Sequence, residues 1–334
     1  MASYIERRKF LAAFLGGAAV AWPLAARAQQ SERMRHIGIL ISLAEDDPEI
    51  APRLAALRRA LQPLGWSDSS NIAVDIRFAA GDADRMRAQA VELVGMSPDV
   101  LLGAGGPPTA ALRRATRAIP IVFVQVVDAV GAGFVTNLAR PGGNITGFTT
   151  FEYAVSGKWL GALKEIAPKV NRVAILYSPS SPTGPGHLGA IQAVVPSLSV
   201  QLTPMAVFDA AEIEPAIKTF VRDPNGGLIV LPGPMVAAHR AEIIALAAQH
   251  RLPSIYPYRY YVASGGLISY GVDVLDQYRL AASYLDRILS GTNPAELPVQ
   301  ASTKYELVIN LKTAKSLGLE IPPTLLARAD EVIE

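Results

Sequence analysis

The stretch Arg35-His36-Ile37-Gly38-Ile39-Leu40-Ile41-Ser42 has a counterpart later in the chain, Asn171-Arg172-Val173-Ala174-Ile175-Leu176-Tyr177-Ser178. Each is a polar pair, an almost unbroken apolar run and a closing serine. A strand apolar on successive residues, rather than on alternate ones, belongs to a parallel sheet covered on both faces. Two more pairs follow in the same order. Pro98-Asp99-Val100-Leu101-Leu102-Gly103 corresponds to Asn225-Gly226-Gly227-Leu228-Ile229-Val230, and Ile119-Pro120-Ile121-Val122-Phe123 to Leu252-Pro253-Ser254-Ile255-Tyr256. Any two α/β domains share some of this. The common order of first strand, Gly/Pro-broken strand and X-Pro strand argues for two related lobes.

Outward from those stretches, short apolar runs alternate with helical ones. Strands are expected at Ile37–Ser42, Ala73–Phe78, Val100–Ala104, Ile121–Val126 and Asn144–Thr149, with helices such as Pro52–Leu64 and Ala83–Val94 between them. Strand and helix in alternation predict α/β lobes of the doubly wound, Rossmann-like kind. The last third holds a strand at Gly265–Gly271, a helix at Leu275–Leu289, an extended piece at Leu297–Gln300, a strand at Tyr305–Asn310 and a helix from Leu311 to Gly318. These are too few for a core of their own, so they complete the two sheets. The chain must then cross between lobes repeatedly, near Thr149–Ala154, Gly271–Leu275 and Gln300–Lys304, which makes a multi-strand hinge. The expected division is 35–150 plus about 272–300 for lobe 1, and 151–271 plus about 301–334 for lobe 2.

A length of 334 residues suits two domains. Lys+Arg 31 against Asp+Glu 29 leaves no basic footprint for nucleic acid. With no cysteine, thiol catalysis and Cys-based metal sites are excluded. Residues 1–28 read as an export signal. Arg7-Arg8-Lys9-Phe10-Leu11 opens them, an uncharged run to Ala26 follows, and Ala26-Arg27-Ala28 offers a cleavage site after about Ala28. The paired arginines resemble a twin-arginine signal, although Glu6 stands where Ser or Thr is usual. The apolar run is shorter than the roughly 20 residues of a membrane span. The expected product is soluble, monomeric and periplasmic.

Ligands of doubly wound sheets sit outside the carboxyl ends of the strands, so the residues just after each strand are the site candidates. Ser42 and Ser178 end the first strand of each lobe. Gly103-Ala104-Gly105-Gly106-Pro107-Pro108-Thr109 leads into a helix, where backbone N–H groups meet an anion. The alternative is a Gly/Pro loop with Thr109 as an N-cap. Asp128 and Asp273 fall at strand ends, suited either to a ligand ammonium or to capping the next helix. Of the late aromatics Tyr256, Tyr258, Tyr260, Tyr261 and Tyr270, Tyr258 and Tyr270 are the candidates for the cleft, against ordinary core packing for each. No G-x-S-x-G, S-x-x-K or H-E-x-x-H occurs, and His36, His187, His239 and His250 lack metal-ligand spacing. No cofactor, metal site or catalytic residue is expected.

Nearly the whole chain after the signal resembles the ABC-transporter substrate-binding family that includes tryptophan- and tyrosine-type receptors. The resemblance is carried by Arg35–Ile41, Ile119–Gly133, Gly265–Asp273, Tyr305–Leu319 with Ile321-Pro322-Pro323, and most specifically Arg140-Pro141-Gly142-Gly143-Asn144-Ile145-Thr146-Gly147. Where members often have Asp-Pro, this chain has Asp128-Ala129. The resemblance implies a type I periplasmic binding fold, a small ligand such as an amino acid or aromatic acid, and delivery to an ABC permease in the inner membrane. A secreted α/β enzyme, or a sensor for a membrane signalling partner, are the alternatives.

Overall fold

The computed structural model describes residues 33–68, 70–150 and 153–334; the export signal expected at 1–28 lies outside them. The chain opens with β1 (Arg35–Ile41), α1 (Ile50–Leu61), β2 (Ile72–Phe78), α2 (Ala83–Gly95), β3 (Val100–Ala104), α3 (Gly106–Ala115), β4 (Ile121–Val126) and β5 (Ile145–Thr149). A second run follows through α4 (Val155–Ile166), β6 (Arg172–Tyr177), α5 (Gly184–Leu198), β7 (Gln201–Ala206), α6 (Ile213–Phe220) and β8 (Gly226–Val230). It continues with α7 (Pro234–Ala238), α8 (Arg240–Gln249), β9 (Ser254–Tyr256), α9 (Arg259–Ala263) and β10 (Ile268–Val272). The last elements are α10 (Val274–Leu289), β11 (Gln300–Ala301), β12 (Tyr305–Asn310), α11 (Leu311–Ser316), α12 (Pro323–Leu326) and β13 (Glu331–Ile333).

These strands form two sheets, in the orders β11-β5-β4-β3-β1-β2 and β13-β12-β10-β9-β8-β6-β7. All neighbours are parallel except β12, which runs antiparallel to β10. The sub-orders β5-β4-β3-β1-β2 and β10-β9-β8-β6-β7 are the same, and the paired sequence stretches occupy matching places in them. Every residue of β3 is buried, as a central strand covered on both faces requires. The strand expected from Gly265 begins only at Ile268. Gly265 sits at φ +105°, and a Cβ on Gly266 would lie 2.6 Å from the Tyr256 ring, so both glycines serve a turn against that ring.

The chain passes between sheets after β5, after β10 and after β11. Helix α10 comes from the second sheet yet packs along α1 and β4 of the first. Its Gln277, 1% exposed, gathers three strand ends. Its Oε1 accepts from Gln125 N at 2.8 Å, and its Nε2 donates to Thr149 O at 2.9 Å and to Ser302 Oγ at 2.6 Å. Ser302 N also donates to Thr149 O, and Asp273 N to Lys304 O, so the crossings lie side by side.

The Arg140–Gly147 segment builds the strand that enters this hinge. Gly142 and Gly143, at φ +70° and +72°, turn the chain, and Asn144 Nδ2 donates to Ile119 O at 2.6 Å. Buried Thr146 Oγ1 donates to Leu297 O at 2.6 Å. Gly147 has φ +153°, and a Cβ there would fall 2.1 Å from Phe123 O. No side chain fits so close to a neighbouring strand. Gly147→Ala should therefore destabilise the protein by at least about 3 kcal/mol, since both the backbone conformation and the carbonyl contact would have to change. An unchanged urea midpoint would contradict this.

In the second lobe, His187 is fully buried, with Nδ1 2.6 Å from Ser156 Oγ and its ring stacked on Trp159 at 5.6 Å. Burial holds its pKa down at about 4, so the native state keeps it neutral. Unfolded, it takes a proton near pH 6.5. The native state therefore loses stability as pH falls from about 6.5 toward 4, by on the order of 3 kcal/mol. His187→Gln should flatten that part of the stability–pH curve measured by denaturant unfolding.

Candidate functional site

Parallel strands expose their carboxyl ends on one edge of each sheet, and those edges face each other across the hinge. On the first lobe, Ser42 is buried directly after β1, and Gly105 caps α3 at φ +108°. A Cβ on Gly105 would come 3.4 Å from Ser42 Oγ, so the two are neighbours on one wall. Thr109 lies behind them, fully buried, with Oγ1 donating back to Gly105 O at 2.7 Å. Its hydroxyl is thus spent on the loop. Asp128 Oδ1 accepts from Gly131 N at 2.7 Å, and its Oδ2 accepts from the Tyr153 hydroxyl at 3.4 Å. Burial, then the Asp128 charge, raises the Tyr153 pKa.

On the second lobe, Ser178 Oγ meets Ser180 Oγ at 2.7 Å. Tyr270 stacks on Tyr305 at 5.8 Å beneath Lys158 Nζ, and its carbonyl accepts from Trp159 Nε1. Tyr258 heads a run of stacked rings, Tyr258–Tyr260 at 5.3 Å, Tyr260–Tyr261 at 4.9 Å and Tyr261–Tyr256 at 5.0 Å. Asp273 is placed in the hinge. Its Oδ1 caps α10 by accepting from Asp276 N, and its Oδ2 pairs with Lys304 at 2.7 Å and Arg279 at 3.2 Å. Burial pushes its pKa up, but the Lys304 bond and the cap outweigh this and hold it low. Ser42, Gly105 and Thr109 are thus brought together, Asp128 joins Tyr153, and Asp273 stands apart with its own partners.

The groups that join the two lobes come largely from residues the strand-end search passed over. Arg240, at the start of α8, makes a two-point ion pair with Asp47 in the loop before α1, at 2.7 and 2.9 Å. Their side chains are only 10% and 9% exposed. Arg53, in the first turn of α1, and Arg240 each lie 5.4 Å from the centre of the Tyr260 ring. Tyr260 is pushed up to about 12 by burial, with Arg53 and Arg240 opposing. Arg53 also donates to Glu49 Oε2 and to Gln125 Oε1, both at 3.3 Å. Gln125 sits in a β-bulge of β4 with φ +57°, an unusual conformation for a side-chain-bearing residue. One signal for Arg53 was present in the sequence. It shares the face of Ile50, Leu54, Leu57 and Leu61, all buried, where a charged residue is out of place.

The site at this join is lined by groups that hold a small molecule through contact and hydrogen bonds. It offers hydroxyls, amide groups, guanidinium and aromatic faces, and no group of three metal-ligating side chains occurs among the described residues. Comparison with known proteins agrees. A tyrosine-binding protein of Clostridioides difficile (strain R20291) is 26% identical over 296 residues, 87% of this chain and 83% of that protein. A conserved domain protein of Vibrio cholerae superposes with TM-score 0.83 at 28% identity, covering 90% of this chain and 100% of that one. The ABC domain of Streptococcus pneumonia in complex with L-Trp gives TM-score 0.83 at 24% identity over 90% of this chain and 100% of that one. The ligand-free, open structure of a Clostridium difficile substrate-binding protein gives 0.66 at the same identity, covering 90% and 99%. The model of the ABC transporter substrate binding protein family matches residues 40–333. This chain, an α/β protein of two lobes built to bind a substrate and not to transform it, belongs to that family.

Proposed function

We propose that this protein is the periplasmic receptor of an ABC importer, closing its lobes on an aromatic amino acid and presenting it to an inner-membrane permease. The observation that carries the reading is the join between lobes, Asp47 to Arg240 and Arg53 to Tyr260, at the carboxyl edges of two like sheets. One relative is named a tyrosine-binding protein, and a structural neighbour is in complex with L-Trp. The export signal read at 1–28 supports a periplasmic address. In this reading Ser42, Gly105 and Asp128 line one wall, with Ser178, Tyr258 and Tyr270 on the other, and Thr109 and Asp273 support the walls from behind. The Tyr258 ring offers a flat apolar face to an aromatic side chain, and the Asp128 carboxylate suits an ammonium.

Closure follows from differential binding. A ligand touching both walls favours the closed state by the interactions it makes only there. The Asp47–Arg240 pair forms only in that state, and without Asp47 the Arg240 charge would be desolvated there with no partner, which disfavours closing.

A thermal-shift screen of the purified protein should show L-tyrosine or L-tryptophan raising the melting temperature. At 100 times Kd the stabilisation is about 2.7 kcal/mol. Recovery of the amino acid chemically unchanged completes the expected result. No shift with any amino acid or aromatic acid, or conversion of the bound compound, would defeat the proposal. Asp47→Ala should weaken ligand binding about tenfold, roughly 1.4 kcal/mol, by disfavouring closure. Small-angle scattering of the ligand-free variant should report a larger radius of gyration than wild type; identical profiles and affinities would show that the pair does not govern closure.

A further inference from the structure

Two guanidinium groups flank the Tyr260 ring, and their circumstances differ. Arg240 is satisfied by both oxygens of Asp47 and by Ala237 O. Arg53 is the more deeply buried, at 3% exposed, and its one carboxylate partner, Glu49, meets it through a single bond. Its bonds to Glu49 and Gln125 are long, at 3.3 Å each, and its buried Nε has no hydrogen-bond partner among the described residues. A guanidinium carries five N–H donors in a fixed plane, matched to the two oxygens of a carboxylate. An ionised group left so poorly paired in the interior is costly unless something supplies the missing acceptors.

The surroundings say where that acceptor would come from. Arg53 stands at the junction of four elements, the first turn of α1, the bulged end of β4, the start of α10 and the Tyr258–Tyr260 segment of the opposite lobe. The phenols of Tyr258, Tyr260 and Tyr278 lie near enough to feel its charge. The positive end of the α1 dipole adds to the attraction for an anion. Gln125 is held to this spot in a left-handed conformation, unfavourable for a residue with a side chain, by the bond from its N–H to Gln277. Strain retained around a sparsely paired charge at the join of two lobes points to a binding group.

We propose that Arg53 is the anion receptor of the cleft, taking the carboxylate of the bound amino acid on its Nε edge while the Tyr258–Tyr260 rings cover the ligand from the other lobe. This rests on the ligand class proposed above and assigns its charged end to a residue on α1. A ligand carboxylate would enter with the lobes parted, and closure would then desolvate the pair, strengthening it.

The test is titration calorimetry with matched ligands, L-tyrosine against L-tyrosinamide and L-tryptophan against L-tryptophanamide. Each amide keeps the ring and the ammonium and lacks the anion. Wild type should bind the acids at least about 100-fold more tightly, the worth of a desolvated charge-assisted pair. Arg53→Gln should lose about that factor for the acids and less than about threefold for the amides, so that the preference collapses. Asp47→Ala should weaken acid and amide alike, because it acts on closure alone. If Arg53→Gln does not fold, Arg53→Lys keeps the charge and removes the fork, and its acid preference should fall about tenfold. Wild type binding amide as tightly as acid, or an Arg53 variant weakening both equally, would overturn the assignment. Wild type binding none of the four compounds would instead remove the proposed ligand class, and this assignment with it.

Discussion

The side-chain amide of Gln277 is the point on which the arrangement of the two lobes depends. One buried group accepts from the end of β4 and donates to the end of β5 and to Ser302, where the chain leaves β11. Because Gln277 rides on α10, which packs against α1, the hinge and the first-lobe core are one connected body. The same amide fixes the β4 bulge through Gln125 N, and the bulge in turn aims Gln125 Oε1 at Arg53. An apolar side chain here would leave Gln125 N and Thr149 O with fewer partners in a dry interior, which costs about 1–3 kcal/mol per group. A hinge tied this tightly can bend between the crossings but cannot let them separate. That is the mechanical condition for two sheets to approach along a single path.

Across the gap, the Asp47–Arg240 pair is better understood as a selector of conformation than as a source of stability. Bringing two charges out of water costs several kcal/mol per ion, and the attraction between them roughly returns it. What the pair does provide is direction, because Asp47 and Arg240 meet with two parallel bonds in one relative placement of the lobes only. Tyr260 contributes in the same sense, with a guanidinium near its ring from each lobe. The pairing is polar, so that parting the lobes exposes groups water can solvate. An apolar seam of the same area would hold the cleft shut.

Much of the fold was open to reading because it is written in runs of apolar residues that only a covered parallel sheet explains, and because the order of β1, β3 and β4 recurs in β6, β8 and β9. Arg140–Gly147, the most specific stretch, proves to be a device for building β5 and its close approach to Phe123, which a sequence shows only as glycines. The site was less legible. The order of the chain places Ser42, Gly105 and Ser178 at sheet edges, since chain position sets what lies there. It does not reveal Arg240 or Asp47, which are 193 residues apart and meet only because two lobes face each other. Asp273 was open to either a capping or a ligand role, and a sequence cannot show that Lys304, 31 residues on, completes its coordination. Arg53 left the one trace described, a charge on an apolar helical stripe, and that trace needs the helix to be packed before it means anything.

The tyrosine stack bears on how binding and closure are coupled. Tyr256, Tyr258, Tyr260 and Tyr261 are all buried, and burial raises each phenol's pKa, so the stack stays neutral at any ordinary pH. The run reaches from β9, in the second-lobe core, to the Tyr260 ring at the guanidinium groups. Tyr260, held between Tyr258 and Tyr261, has little freedom to turn, so the second lobe presents a nearly fixed surface to the first. Rigid aromatic surface forfeits little conformational entropy on contact. The first lobe meets it with Arg53, whose long side chain is held by Glu49 and Gln125, contacts that offset the conformational entropy its ordering costs.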